Sequence, residues 1–268
     1  MILPGEAPVP LFTTDTGPRE APALVFAHAL GADLTMWDAL LPQLPDGLRV
    51  IRMDMRGHGQ SPCPPAEQGD AYPMGHLVRD VAATLDRLGV RDCTFVGISI
   101  GGIIAQGLAA ERKDLVRALV LSNTAVKIGT PALWDARMEE VRRGGIAAVI
   151  GQNMQRWFAR STHRDHPELV LRAAEVMQAT PLAGYLGCMG AIAETDLYES
   201  TARLTLPTLV TAGSEDGSTP ADLVRELADL IPGADFRLIR RSGHMPPIEQ
   251  PEAYAKALVD FLHITKHI

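Results

Sequence analysis

Thr94-Phe95-Val96-Gly97-Ile98-Ser99-Ile100-Gly101-Gly102 decides the reading of this chain, because it sets a serine between glycines where an apolar strand gives way to a helix. That is a nucleophile elbow. A serine hydroxyl is a weak nucleophile at neutral pH, so the chain must expose its oxygen on a sharp, strained turn within reach of a base. Small neighbours make such a turn sterically possible. The pattern also arises in ordinary glycine-rich turns, and its setting carries the assignment: residues 94–97 read as a buried strand and residues 101–111 as the helix that follows.

Outward from the elbow, strand-like apolar segments recur at residues 23–27, 48–53, 94–97, 116–121, 207–212 and 234–239. Helical patterns at residues 75–89, 101–111, 219–230 and 251–263 fall between most of them. This alternation predicts a mostly parallel twisted sheet flanked by helices and wound by right-handed crossovers. The rhythm breaks between about residues 125 and 201, where helical patterns at roughly 131–143, 145–158, 167–178 and 182–192 replace strands. Such an insertion belongs above the carboxyl ends of the strands, where open α/β sheets hold their sites, and is expected to act as a lid. A helical block that only adds stability is the plainer alternative.

A serine nucleophile needs a base, and the base an orienting acid, which follow the serine in the order acid then histidine in a chain of this type. Of eight histidines, His244 stands out in the loop Arg240-Arg241-Ser242-Gly243-His244-Met245-Pro246-Pro247, after the last strand and before the last helix. Asp216 is the candidate acid, in Gly213-Ser214-Glu215-Asp216 after the strand at residues 207–212, while Glu215 should point away. Ser122-Asn123-Thr124 ends another strand but supplies no carboxylate. The oxyanion donors should be the backbone amides of Ile100 and Leu30, the latter in Phe26-Ala27-His28-Ala29-Leu30-Gly31. His28 is expected to brace that loop, and Asp54-Met55-Arg56-Gly57-His58-Gly59-Gln60-Ser61 to be a structural turn. His163 with His166, and His263 with His267, lack the partners of a metal site, His267 being placed in a frayed tail, so no metal and no cofactor are expected.

A chain of 268 residues with 46% hydrophobic and 21% charged residues fits a globular protein with a sizeable core. Its apolar runs are too short for a membrane span, and a net charge of −7 argues against a nucleic-acid partner. Cys63, Cys93 and Cys188 are odd in number and widely spaced, and the first residues lack the pattern of a secretory signal. A cytoplasmic protein, monomeric or a small homo-oligomer, is expected, with a small-molecule substrate as its partner and no membrane association.

Through the loop at His28, the turn at residues 54–61, the elbow, Asp216 and His244, taken in order, the chain resembles the α/β-hydrolase superfamily. That resemblance implies a core of residues 1–124 and 202–268, with residues 125–201 as a helical lid inserted after the sixth strand. The insertion is similar to that of the 3-oxoadipate enol-lactonases, through Asn123-Thr124-Ala125, Lys127-Ile128-Gly129, Trp134, Arg137, Arg156-Trp157-Phe158, Thr180-Pro181, Gly184-Tyr185 and Cys188. The likeness implies hydrolysis of 3-oxoadipate enol-lactone to 3-oxoadipate in the bacterial breakdown of protocatechuate or catechol. A substrate carboxylate buried without a partner is costly, so a lid cation should meet it. Arg137, Lys127, Arg156 and Arg160 are the available cations; Arg137, with Trp134 and Trp157, is taken as substrate-binding. Rival readings are a carboxylesterase or lactonase for another small ester, a cofactor-free perhydrolase, and a non-catalytic ligand receptor that kept the scaffold. Ser99 argues against the dehalogenases and epoxide hydrolases of this fold, which carry aspartate at the elbow.

Overall fold

Three strands are buried along their whole length: β2 (Ala23–Ala27), β4 (Cys93–Ile98) and β6 (Thr208–Gly213). Strands this apolar belong inside a parallel sheet covered on both faces. In the computed structural model, which describes residues 7–66 and 69–268, they join β1 (Thr13–Thr16), β3 (Arg49–Met53), β5 (Val116–Ser122) and β7 (Asp235–Ile239). The seven strands form one sheet in the order β1-β3-β2-β4-β5-β6-β7. β1 pairs antiparallel with β3, and the other pairings are parallel.

The chain leaves β2 toward β3 on one side and leaves β4 toward β5 on the other. The carboxyl ends of β2 and β4 therefore flank a topological switch point, where open α/β sheets form a crevice. Helices α1 (Met74–Arg87), α2 (Ile100–Glu111), α9 (Ala221–Leu230) and α11 (Pro251–Ile264) cover the sheet, with α2 packed on β4 and β5 and the single turn α10 (Pro246–Glu249) leading into α11.

Between β5 and β6 lie α3 (Pro131–Gly144), α4 (Ala147–Trp157), α5 (Arg160–Asp165), α6 (Pro167–Ala179), α7 (Leu182–Glu194) and α8 (Tyr198–Thr201). The insertion thus follows the fifth strand, not the sixth as expected, because among the described residues only β1 precedes residue 23. α7 docks through glycines spaced three apart. A Cβ on Gly184 would overlap the Gly57 carbonyl oxygen, and one on Gly187 would overlap the Tyr72 ring. That close fit seats the insertion on the turn at residues 54–61.

The turn itself is structural, as read. Asp54 accepts the Leu34 amide on Oδ1 at 2.8 Å and the Gln60 amide on Oδ2 at 2.8 Å. His267 departs from its expected place in a frayed tail: it is 2% exposed, and its Nδ1 lies 3.1 Å from Thr94 Oγ1. The helix α11 ahead of it packs on the sheet, which carries the tail back under β4. Among the described residues no helix is long and apolar enough to cross a membrane.

Candidate active site

Ser99 has φ 56° and ψ −119°, a left-handed conformation that a non-glycine residue adopts only when its surroundings enforce it. Those surroundings are glycines. A Cβ on Gly97 would overlap the Gly101 carbonyl oxygen, and one on Gly101 would overlap that of Ala27, so strand and helix approach this closely only without side chains. The Ser99 amide donates to Ser122 O at 3.1 Å, and Thr124 Oγ1 donates to Ser99 O at 2.7 Å. The elbow is thereby tied to the end of β5.

His244 hangs from the loop after β7, where its amide donates to Trp157 O at 2.7 Å. Its ring lies against that of Trp157, with centroids 6.3 Å apart and planes inclined by 29°. Nδ1 donates to Asp216 Oδ2 at 2.8 Å, which leaves Nε2 as the acceptor nitrogen. Asp216 Oδ2 also accepts Asn123 Nδ2 and Thr219 Oγ1, each at 2.7 Å. Oδ1 accepts the amides of Ser218 at 2.7 Å and Thr219 at 3.1 Å. Burial pushes the Asp216 carboxyl upward, but the His244 charge and the hydrogen bonds of His244, Asn123 and Thr219 outweigh it and hold the group below the ordinary aspartate range. An ionised acid thus orients a histidine whose free nitrogen can take a proton.

Ser99 and His244 line one cavity, of about 690 Å³ including its open mouth. That suits a small ligand. Among the described residues Ser99 Oγ makes no hydrogen bond. Catalytic contacts in a ligand-free site often tighten only when substrate arrives.

Leu30 lines the same cavity, and Ile100 opens α2 directly after the serine. Among the described residues neither backbone amide has an acceptor, so both are available to a developing negative charge. His28 braces the loop as read: Nδ1 donates to Ala29 O at 2.7 Å, and Nε2 accepts the Met55 amide at 2.9 Å. A second imidazole does the same job, since His58 Nε2 accepts the Gly31 amide at 3.0 Å. Burial drives both histidines toward the neutral form, and the neighbouring His28 helps push His58 down to about 3.

Of the expected substrate-binding residues, Trp134, Arg137 and Trp157 all line the cavity. So does Arg156, whereas Lys127 is paired with Asp196 at 3.0 Å and Arg160 is exposed elsewhere. Arg137 is half-buried, its guanidinium 5.2 Å from the centre of the Trp134 ring. Among the described residues it has no carboxylate within ion-pair distance. Burial and the nearby Arg156 disfavour its charge, and Glu140 at the rim offsets part of that effect. A guanidinium stays protonated regardless, so the cavity holds undercompensated positive charge.

Three positions lie outside the sequence reading. Asn123 and Thr219 hold Asp216, the first from the segment set aside for lacking a carboxylate. Glu249 is the third: it accepts the Gly243 amide at 2.6 Å, the Ala159 amide at 2.7 Å and Thr162 Oγ1 at 2.6 Å, tying the histidine loop to the insertion. Polar residues just past a strand's carboxyl end were the available signal for Asn123.

The profile of the α/β-hydrolase fold matches residues 22–251, and the chain belongs to the α/β-hydrolase family. It is a hydrolase in which the elbow, the carboxylate–histidine pair and the two free amides meet in one crevice. Within the family it is similar to 3-oxoadipate enol-lactonase 2 of Acinetobacter baylyi, with 34% identity over 90% of this chain and 89% of that one. Among solved structures, the enol-lactonase from Burkholderia xenovorans LB400 superposes with a TM-score of 0.89 at 33% identity, covering 94% of this chain and 96% of that one. A thermophilic esterase from Thermogutta terrifontis, solved with malate bound, superposes with a TM-score of 0.87 at 31% identity, over 95% and 93% of the two chains.

Proposed function

We propose that this hydrolase opens a small anionic enol-lactone, 3-oxoadipate enol-lactone, giving 3-oxoadipate through an acyl-enzyme on Ser99. The observation that carries the substrate is Arg137, a half-buried cation with no carboxylate at ion-pair distance among the described residues, in the cavity that also holds Ser99. The enol-lactonase relatives support the same choice. In this reading residues 125–201 act as a lid on the core, and the enzyme works without a cofactor in cytoplasmic breakdown of aromatic compounds.

His244 Nε2 takes the Ser99 proton as Oγ attacks the lactone carbonyl, and Asp216 stabilises the imidazolium that forms. The carbonyl oxygen, now negative, lies against the Leu30 and Ile100 amides. Collapse breaks the ring C–O bond and expels an enolate, a better leaving group than an alkoxide, which takes the proton held by His244 and tautomerises to the ketone, leaving the imidazole neutral. Water deprotonated by His244 then releases the acyl group and restores Ser99.

The experiment is steady-state hydrolysis of fresh 3-oxoadipate enol-lactone beside a neutral short-chain ester, with wild type, Ser99→Ala and Arg137→Gln. The reading expects kcat/KM for the lactone of about 10⁶ M⁻¹s⁻¹ or more, with weak ester turnover. Ser99→Ala should lose about 10⁴-fold or more in kcat while keeping its fold. Arg137→Gln should raise KM for the lactone by about 10–100-fold, the loss of a charge-assisted contact, and leave the neutral ester nearly untouched. Preference for the neutral ester would move the assignment to an esterase, the reading that the Thermogutta structure favours.

A further inference from the structure

A second cavity adjoins the first, and a single side chain is common to both walls. Trp157 lines each of them, and among the described residues no other does. On one side its indole stacks on His244. Its far edge reaches the oxyanion loop, where a Cβ on Gly31 would lie 3.6 Å from Trp157 Cη2. At 6% exposure the ring closes the space from the histidine to the loop.

The two chambers differ in chemistry. The catalytic one holds Arg137 and Arg156, whereas the second presents Met36, Ala173, Val176, Met245 and Ile248. The charges of the second are the exposed Arg172 and Asp38, 3.8 Å apart, and the half-buried Asp33, whose Oδ1 accepts the Thr35 amide at 2.9 Å and the Thr35 hydroxyl. Its volume, about 640 Å³ including the mouth, nearly matches that of the first. Met36 and Met245 are flexible thioethers that adapt to a guest.

We propose that Trp157 is a specificity-determining partition: it confines the site to small substrates, and without its indole the two chambers become one site that takes esters bearing a medium-length unbranched alkyl chain. The inference rests on the Ser99 acyl-enzyme reading above. Apolar chain seated in the second chamber leaves water against methionine and aliphatic surface, which is the favourable term. A pocket edge discriminates by roughly 10–200-fold per methylene-scale change, so the effect is large enough to measure.

The test compares kcat/KM for p-nitrophenyl acetate, butyrate and octanoate, and for methyl and octyl butyrate, so that the chain is placed on either side of the ester. The proteins are wild type, Trp157→Ala, Trp157→Leu, Ala173→Phe and the double variant Trp157→Ala with Ala173→Phe. Truncating a buried indole costs stability, and Trp157→Leu is the milder substitution if alanine fails to fold. The ratio of long-chain to short-chain kcat/KM should rise about 10–100-fold in the truncations on at least one side of the ester. Filling the second chamber with Ala173→Phe should cancel that rise in the double variant. Ala173 lines the second chamber only, so Ala173→Phe alone should leave butyrate turnover unchanged. A folded truncation that turns over butyrate with an unchanged ratio in both series overturns the partition. So does a raised ratio that Ala173→Phe does not reverse, since general loosening would then be the cause. Absence of any Ser99-dependent ester or lactone turnover in wild type instead overturns the acyl-enzyme reading underneath.

Discussion

Both oxygens of Asp216 are engaged, and Oδ2 alone serves His244, Asn123 and Thr219. A carboxylate so well supplied stays ionised despite burial, and its orientation is fixed, so the imidazole is held in one tautomer. Asn123 supplies one of those donors from a backbone with φ 46°, a conformation that asparagine and glycine tolerate better than alanine. Asn123→Gly therefore removes the donor without backbone strain. We expect kcat to fall about 10–100-fold, the worth of one hydrogen bond to a charged group, with KM nearly constant. An unchanged kcat would show that Thr219 and the two backbone amides suffice.

At the scale of elements, α7 shows what glycine does for the insertion. The Cβ of Gly184→Ala would meet backbone of Gly57, which cannot swing aside as a side chain can. The helix has to shift, and Tyr185, the next residue, lines the cavity. We expect a loss of about 1–3 kcal/mol, a melting temperature lower by several degrees, and a KM that rises more than kcat falls. Gly151→Ala is the control: nothing lies within 4 Å of its added Cβ on the exposed side of α4, and a gain of up to ~1 kcal/mol is expected. Destabilisation of both by the same amount would deny Gly184 its special role. The same contrast explains what was legible in the sequence. The insertion helices α3, α4, α6 and α7 announce themselves by periodicity over eleven residues or more, whereas α5 and α8, with 6 and 4 residues, have too few turns to do so. β1 reads Thr-Thr-Asp-Thr, an edge strand with no apolar alternation to mark it. Ser99, Asp216 and His244 were readable because each follows a strand in a fixed order. Asn123 was not, since its bond to Asp216 spans 93 residues of chain and exists only once the sheet sets β5 beside β6.

For the whole molecule, the pair His28 and His58 links stability to the crevice. Their rings lie 5.2 Å apart, and through Ala29, Gly31 and Met55 they join the oxyanion loop to the turn at residues 54–61. Both must be neutral to accept an amide proton. His58 has its pKa lowered from 6.5 to about 3, and burial lowers that of His28 as well. A folded-state pKa below the unfolded one means stability that is fully present above 6.5 and is lost as pH falls, because the unfolded chain takes protons that the folded one refuses. Each such group tilts unfolding by up to about 1.4 kcal/mol per pH unit. The depressed Asp216 acts in the same sense at lower pH, and Glu249, raised by burial, acts in the opposite one. Urea unfolding of wild type and His58→Gln at pH 7.5 and 5 isolates the histidine, since the carboxylates are common to both. The glutamine carbonyl can still accept the Gly31 amide but takes no proton. Wild type should lose more of its unfolding free energy between the two pH values than the variant does, by about 1–2 kcal/mol. Equal losses would mean that the imidazoles are not what acid attacks. A smaller loss in the variant, together with lactone turnover that survives further into acid, would show that the crevice opens where these two neutral rings give way.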